Sequence, residues 1–172
     1  MLPTLSDVPT HHPDCCLSLS TALFSKLDEI LSVSKAPVLS IGAGSGLFEA
    51  ILSSRDPSRT VEGVEVNSSV NKYLPEESTF VVGGTWGLCP RAEDIPIWVF
   101  VYPRVPALVK KYFETFGQAR LQLAIFLGPR ADWADFQDSF IVPGFTSVEI
   151  VEDCGLVPYE VLAVIRKESA AK

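Results

Sequence analysis

Three glycines alternate with small residues in the run Gly42-Ala43-Gly44-Ser45-Gly46, and an acid, Glu65, stands at the end of the next apolar segment. Glycines so spaced let a ligand approach the backbone closely, and a helix opening behind them offers unpaired N–H groups. A carboxylate at the end of the following strand can accept hydrogen bonds from two ribose hydroxyls, so the pair addresses a nucleoside rather than a bare phosphate. The spacing also excludes two common phosphate loops. The dinucleotide fingerprint needs glycine at position 47, where Leu47 stands, and no Gly-Lys-Ser/Thr follows as a P-loop requires.

Other candidates lie further along the same expected rim. Ala43 sits inside the glycine loop and Val66 directly follows Glu65. Gly84, Thr85 and Trp86 follow the next strand; Trp86 offers a face on which a purine stacks, and Thr85 a donor or acceptor at its edge. A core plug is the alternative role for Trp86. Tyr102 ends a fourth strand and can orient a nucleophile or simply rest half-buried there, and Arg104 can pair with a substrate carboxylate or stay solvated. His11 and His12 precede the first helix, and His12 is the candidate general base, against the alternative of an exposed histidine with no role. No Ser/His/Asp or Cys/His spacing compels a hydrolase. Cys15, Cys16, Cys89 and Cys154 form no CxxC pair. Reduced thiols in a cytoplasmic protein are expected, and neighbouring ligands at His11, His12, Cys15 and Cys16 suit a tetrahedral metal site badly, so no metal is expected.

The elements that must position these residues are legible as alternating runs. Residues 1–13 read as an extended arm, and Asp14 as the cap of a helix carrying Leu19, Leu23, Leu27, Ile30 and Leu31. Strands are expected at Val38–Ile41, Thr60–Val66, Thr79–Val82, Pro96–Tyr102, Ala119–Leu127, Phe145–Val151 and Tyr159–Ile165. Helices follow the glycine loop, run briefly from Ser68 towards Pro75, and occupy Val105–Phe116 and Asp132–Phe140. Strand–helix alternation predicts an α/β, Rossmann-like, doubly wound sheet of seven strands, mostly parallel. The connection Glu152–Pro158 is too short for a crossover, so the C-terminal strand is expected to be antiparallel. The 172 residues, 47% of them hydrophobic, fit one domain with its own core. A formal net charge of −7 is the wrong sign for a nucleic-acid partner, and no apolar run is long enough for a membrane span.

The segment Val38-Leu39-Ser40-Ile41-Gly42-Ala43-Gly44-Ser45-Gly46-Leu47-Phe48, with Val61-Glu62-Gly63-Val64-Glu65-Val66, resembles the first two motifs of the class I S-adenosylmethionine-dependent methyltransferases. The resemblance covers about residues 15–167. It implies S-adenosylmethionine as cofactor, held by Gly42, Ala43, Gly44, Gly46, Glu65, Val66, Gly84, Thr85 and Trp86, and methyl transfer to a small-molecule or protein acceptor. Three departures from the family pattern stand out: Ser40 where an acid is usual, Gly84 where Asp or Glu is usual, and Tyr102-Pro103-Arg104 where many amino-methylating members carry Asn/Asp-Pro-Pro-aromatic. A non-catalytic binding or scaffold subunit of the same fold is the alternative, and a nucleotide-dependent oxidoreductase a third reading that Leu47 opposes. The acceptor and the oligomeric state are not encoded in these motifs.

Overall fold

The computed structural model describes residues 1–169. The chain runs β1 (Thr10–His12), β2 (Cys15–Leu19), α1 (Thr21–Leu31), β3 (Val38–Ile41), α2 (Leu47–Arg55), β4 (Val61–Glu65), β5 (Thr79–Val81), β6 (Ile97–Val101), α3 (Pro106–Phe116), β7 (Leu123–Pro129), α4 (Arg130–Phe140), β8 (Ser147–Val151) and β9 (Glu160–Arg166). Seven strands form one sheet in the order β5-β4-β3-β6-β7-β9-β8. The pairs β3–β4, β4–β5, β3–β6 and β6–β7 are parallel, whereas β9 runs antiparallel to both of its neighbours. The expected seven-stranded, mostly parallel sheet with its antiparallel C-terminal strand is therefore the observed architecture.

Burial on both faces explains the apolar density of the central strands. On β6, Ile97 and Val99 face α1 and α2, while Trp98 and Phe100 face α3 and α4. The second layer is aromatic: Trp98, Tyr112, Phe113, Phe140 and Phe145 meet edge to face, an arrangement that adds to simple area burial. The chain leaves β3 towards β4 and β5 and then returns to β6 on the other side. That reversal places the crevice of the doubly wound sheet at the carboxyl ends of β3 and β6, where the glycine loop lies. Among the described residues, no helix is long and apolar enough to cross a membrane.

The N-terminal segment corrects the expectation of an extended arm over residues 1–13 and a helix capped by Asp14. Thr10–His12 and Cys15–Leu19 form an antiparallel hairpin, and α1 begins at Thr21 with Ser20 as its cap, its hydroxyl accepting from the Leu23 amide. Leu17 and Leu19 alternate inward as strand residues and are buried, so the four-residue spacing from Leu19 to Leu23 crosses an element boundary. Asp14 is instead in the hairpin turn, where its carboxylate accepts from Lys72 Nζ and Tyr73 Oη. Leu2 and Leu5 pack against the core from outside. Smaller differences occur elsewhere: between β4 and β5 the expected short helix is replaced by two single turns of 3-10 helix, Ser68–Val70 and Glu76–Ser78, and β7 begins at Leu123 because residues 117–120 turn after α3.

The hairpin gives truncation of this segment a structural cost. Deleting residues 1–12 removes the strand that pairs with β2 and uncovers Leu2 and Leu5 contacts on the core. The midpoint of thermal unfolding should fall by on the order of 5–10 °C, for an expected loss of about 2–3 kcal/mol. Differential scanning calorimetry of the truncated chain checks this; an unchanged midpoint would restore the reading of this segment as a loose arm.

Candidate functional site

The site is built on the carboxyl ends of the parallel strands. Gly42, Gly44 and Gly46 all have positive φ, at 86°, 56° and 80°, which an L side chain resists. Their surroundings separate their roles. A Cβ on Gly42 or Gly44 would meet no heavy atom within 4 Å, whereas one on Gly46 would strike Asn71 and Leu74 at 2.9 Å. Gly42 and Gly44 thus leave an open approach to the loop backbone, and Gly46 serves close packing. The loop is tied to the sheet by the amides of Gly42 and Ala43, which donate to the Val64 carbonyl at 2.9 and 3.0 Å.

Glu65 ends β4 beside this loop. Its two oxygens accept from the Gly44 amide at 2.9 Å and the Val66 amide at 2.8 Å. The loop and the acid are therefore one preorganised unit. A carboxylate has about four lone-pair sites, so two remain after those bonds. Val66, Val81 and Trp86 are exposed around the ends of β4 and β5. Trp86 is not a core plug: it is 54% exposed, and Lys111 Nζ donates to its carbonyl at 3.1 Å. Thr85 is exposed in the same turn. Gly84 has φ +107°, so the acid absent here would sit on strained backbone, at a cost of about 1–2 kcal/mol.

The other half of the rim joins the hairpin to the sheet. Glu160, at the start of β9, is buried. Its carboxylate accepts from the Ser18 amide at 3.1 and 3.2 Å, from the Ser18 hydroxyl, and from Tyr102 Oη at 2.7 Å. Tyr102 itself has φ +49°, an uncommon conformation for an aromatic residue. Its amide donates to Leu127 O at 2.7 Å, so bonds at both ends of the residue hold it there. Burial, with the adjacent Glu160 carboxylate, keeps the Tyr102 phenol well above its ordinary range. Tyr102 is a neutral donor here, not a base. His11, rather than His12, reaches this cluster: its Nε2 lies 2.8 Å from Tyr159 Oη and 3.9 Å from Glu160. His12 turns inward on its own hairpin, Nδ1 accepting the Asp14 amide at 3.1 Å. Arg104 is exposed.

The hairpin turn also touches the glycine loop. Ser45 Oγ donates to the Asp14 carbonyl at 2.6 Å, while Asp14 bonds Lys72 and Tyr73 beyond β4. Cys15 lies just past this turn, and burial pushes its thiol up to about 12, which removes it as a nucleophile near neutral pH. All four cysteines are free. Among the described residues, no three His, Cys, Asp or Glu side chains converge as a metal site.

No family model matches the chain, and no curated protein matches it in sequence. Solved structures do match in shape. A precorrin-6y C5,15-methyltransferase from Geobacter metallireducens superposes with a TM-score of 0.62 at 12% identity, covering 94% of this chain and 93% of its own. A human methyltransferase 10 domain containing protein gives 0.62 at 14% identity, covering 87% and 82%. The methyltransferase domain of the bacterial protein CtHen1 gives 0.62 at 16% identity, covering 84% and 97%. The fold is that of the class I S-adenosylmethionine-dependent methyltransferases. Within that fold, the residues present suit an S-adenosyl group. Gly42 and Gly44 leave space for its approach, and Glu65 is fixed at the loop edge with acceptor capacity to spare. Trp86 presents an accessible aromatic face. The departures at positions 40 and 84 remain, and the backbone at Gly84 explains the second.

Sequence reasoning missed Glu160, Ser18 and Glu49. The first two signal nothing locally, because the bond between them spans 142 positions. Glu49 had a signal, an acid among the apolar residues of the helix behind the loop.

Proposed function

We propose that the protein is an S-adenosylmethionine-dependent methyltransferase, with Gly42, Ala43, Gly44 and Gly46 forming the cofactor loop. Glu65 receives the ribose, and Val66, Gly84, Thr85 and Trp86 border the adenine. The observation that carries this reading is the bond between the Gly44 amide and Glu65, which joins an open glycine loop to a ribose-type acid at the crevice of this fold.

The cofactor brings the methyl group on a sulfonium, ready for displacement. What the chain supplies is alignment and exclusion of water. The glycine loop and Glu65 hold the nucleoside, and the hairpin, tied to Ser45 through the Asp14 carbonyl, encloses one side of the crevice. Tyr102, held by Glu160, orients the acceptor with the outward edge of its ring, since its hydroxyl is committed. Direct displacement needs only weak base assistance, which His11 supplies at the hairpin, since His12 Nδ1 already accepts the Asp14 amide. The acceptor is a small molecule or a protein rather than a nucleic acid, in keeping with a net charge of −7. Four free thiols suit a reducing, cytoplasmic setting.

Isothermal titration calorimetry with S-adenosylmethionine, S-adenosylhomocysteine and NAD tests this reading. Both S-adenosyl ligands should bind and NAD should not; the reverse pattern overturns it. The second reading, a non-catalytic binding subunit, is favoured by the commitment of Tyr102 to Glu160 and of His12 Nδ1 to Asp14. Binding of S-adenosylhomocysteine without methyl transfer to any acceptor offered would support it.

A further inference from the structure

Among the described residues, Glu49 is a buried acid without a counter-charge. It stands in the first turn of α2, three residues past Gly46, and is 1% exposed. One oxygen accepts from Ser40 Oγ on β3. The other, Oε2, is the single buried side-chain polar atom without a hydrogen-bond partner among the described residues. Burial, opposed by the Ser40 hydrogen bond, pushes its carboxyl up to about 7. The titratable groups around it bring no relief. Glu65 on β4 repels it, and Cys15 on β2 holds a thiol that is itself pushed up to about 12.

Native interiors rarely leave a buried polar atom unmatched, because each costs free energy with no return. A helix built only for packing would carry an apolar side chain here, as at its neighbours Leu47, Phe48, Ile51 and Leu52, all buried. The unmatched oxygen lies at the base of the glycine loop, bonded through its twin to the residue two positions before Gly42. A dehydrated carboxylate there selects a cation that can donate a hydrogen bond.

We propose that Glu49 Oε2 receives the primary ammonium at the amino-acid end of the S-adenosyl ligand. This rests on the reading of the crevice as an S-adenosyl pocket. The ligand carries two cationic centres, and the chemistry chooses between them. The ammonium has N–H donors that satisfy an orphan acceptor, whereas the sulfonium has no hydrogen to donate. Ser40 is the positioning residue: its hydroxyl fixes one oxygen and leaves the other without a partner in the fold. The ammonium binds the ionised carboxylate, so binding displaces the proton that Glu49 carries below about pH 7.

Two probes separate this proposal from the reading beneath it. S-Adenosylhomocysteine carries the ammonium but no sulfonium, and 5′-methylthioadenosine carries neither. Both are titrated calorimetrically into the wild type and Glu49→Gln at pH 6 and pH 8. In the wild type, S-adenosylhomocysteine should bind roughly tenfold more tightly at pH 8, and methylthioadenosine equally at both. Glu49→Gln should weaken S-adenosylhomocysteine on the order of 10- to 100-fold at pH 8, remove its pH dependence and leave methylthioadenosine unchanged. If both probes weaken equally, or neither weakens, the assignment of Glu49 is overturned while the S-adenosyl pocket stands. If neither probe binds the wild type, the pocket itself is wrong.

The free proteins provide a further check that needs no ligand. A raised carboxyl in the folded state binds its proton more tightly than in the unfolded chain, so its burial costs stability as pH rises from about 4.5 to about 7. Glu49→Gln should therefore melt no lower than the wild type at pH 8. A markedly lower melting temperature would mean that the ionised side chain is already satisfied in the free fold, and would overturn the proposal.

Discussion

Replacing Glu65 with alanine should weaken S-adenosylhomocysteine by roughly 1.5–3 kcal/mol, about 10- to 150-fold in Kd, the range for hydrogen bonds to a charged group. The carboxylate is already positioned by the amides of Gly44 and Val66, so no ordering cost offsets the two ribose bonds proposed for it. The same bonds give the variant a second effect, because the Gly44 amide loses its acceptor. Glu65→Gln separates the two. It keeps one oxygen, which can take one backbone amide and one ribose hydroxyl but loses the second pair, and its affinity should fall between the wild type and Glu65→Ala. Thermal unfolding of the free variants shows whether the loop has loosened. Unchanged affinity in Glu65→Ala would remove the ribose assignment, whatever the fold.

Glu160→Ala should produce the largest loss of stability from a single polar residue. It strips the acceptor from the Ser18 amide, the Ser18 hydroxyl and Tyr102 Oη together. Each stranded donor costs about 1–3 kcal/mol when buried, and partial rearrangement brings the expected total to roughly 3–5 kcal/mol. The site should suffer with the fold, since Tyr102 has φ +49° and loses the bond that anchors its ring. Denaturant unfolding measures the effect; Glu160→Gln, which keeps one acceptor oxygen, should recover part of it. A cost below about 1 kcal/mol would mean that water or another group replaces the carboxylate, and that the joint between β2 and β9 is soft.

What could be read from the chain and what could not divide along the range of the interactions. The glycine loop and Glu65 depend on a strand, a turn and a helix that are contiguous in sequence, and each has its own pattern. The mostly parallel character of the sheet followed from the alternation of elements, and the antiparallel C-terminal strand from the short connection before β9, which left no room for a crossover. The N-terminal hairpin was hidden because Leu17 and Leu19 show strand alternation over too few residues, while Leu19 also continues the spacing of Leu23 and Leu27. Ser20 and Asp14 are equally good helix caps by residue type. Only the contacts of Asp14 with Lys72 and Tyr73 decide between them. The pairing of Glu160 with Ser18 and Tyr102, and that of Glu49 with Ser40, are tertiary events with no periodic signature. Gly84 was legible as a departure from a motif. Its φ of +107° supplies the reason, and makes a simple Gly84→Asp restoration unpromising.

A crystal structure of the protein grown with saturating S-adenosylhomocysteine tests the central claim most directly. The ligand should lie along Gly42–Gly46 with both ribose hydroxyls on Glu65, the adenine beside Trp86 and the primary ammonium on Glu49. Density for the ligand elsewhere on the molecule, or a vacant crevice at saturating concentration, would contradict the account.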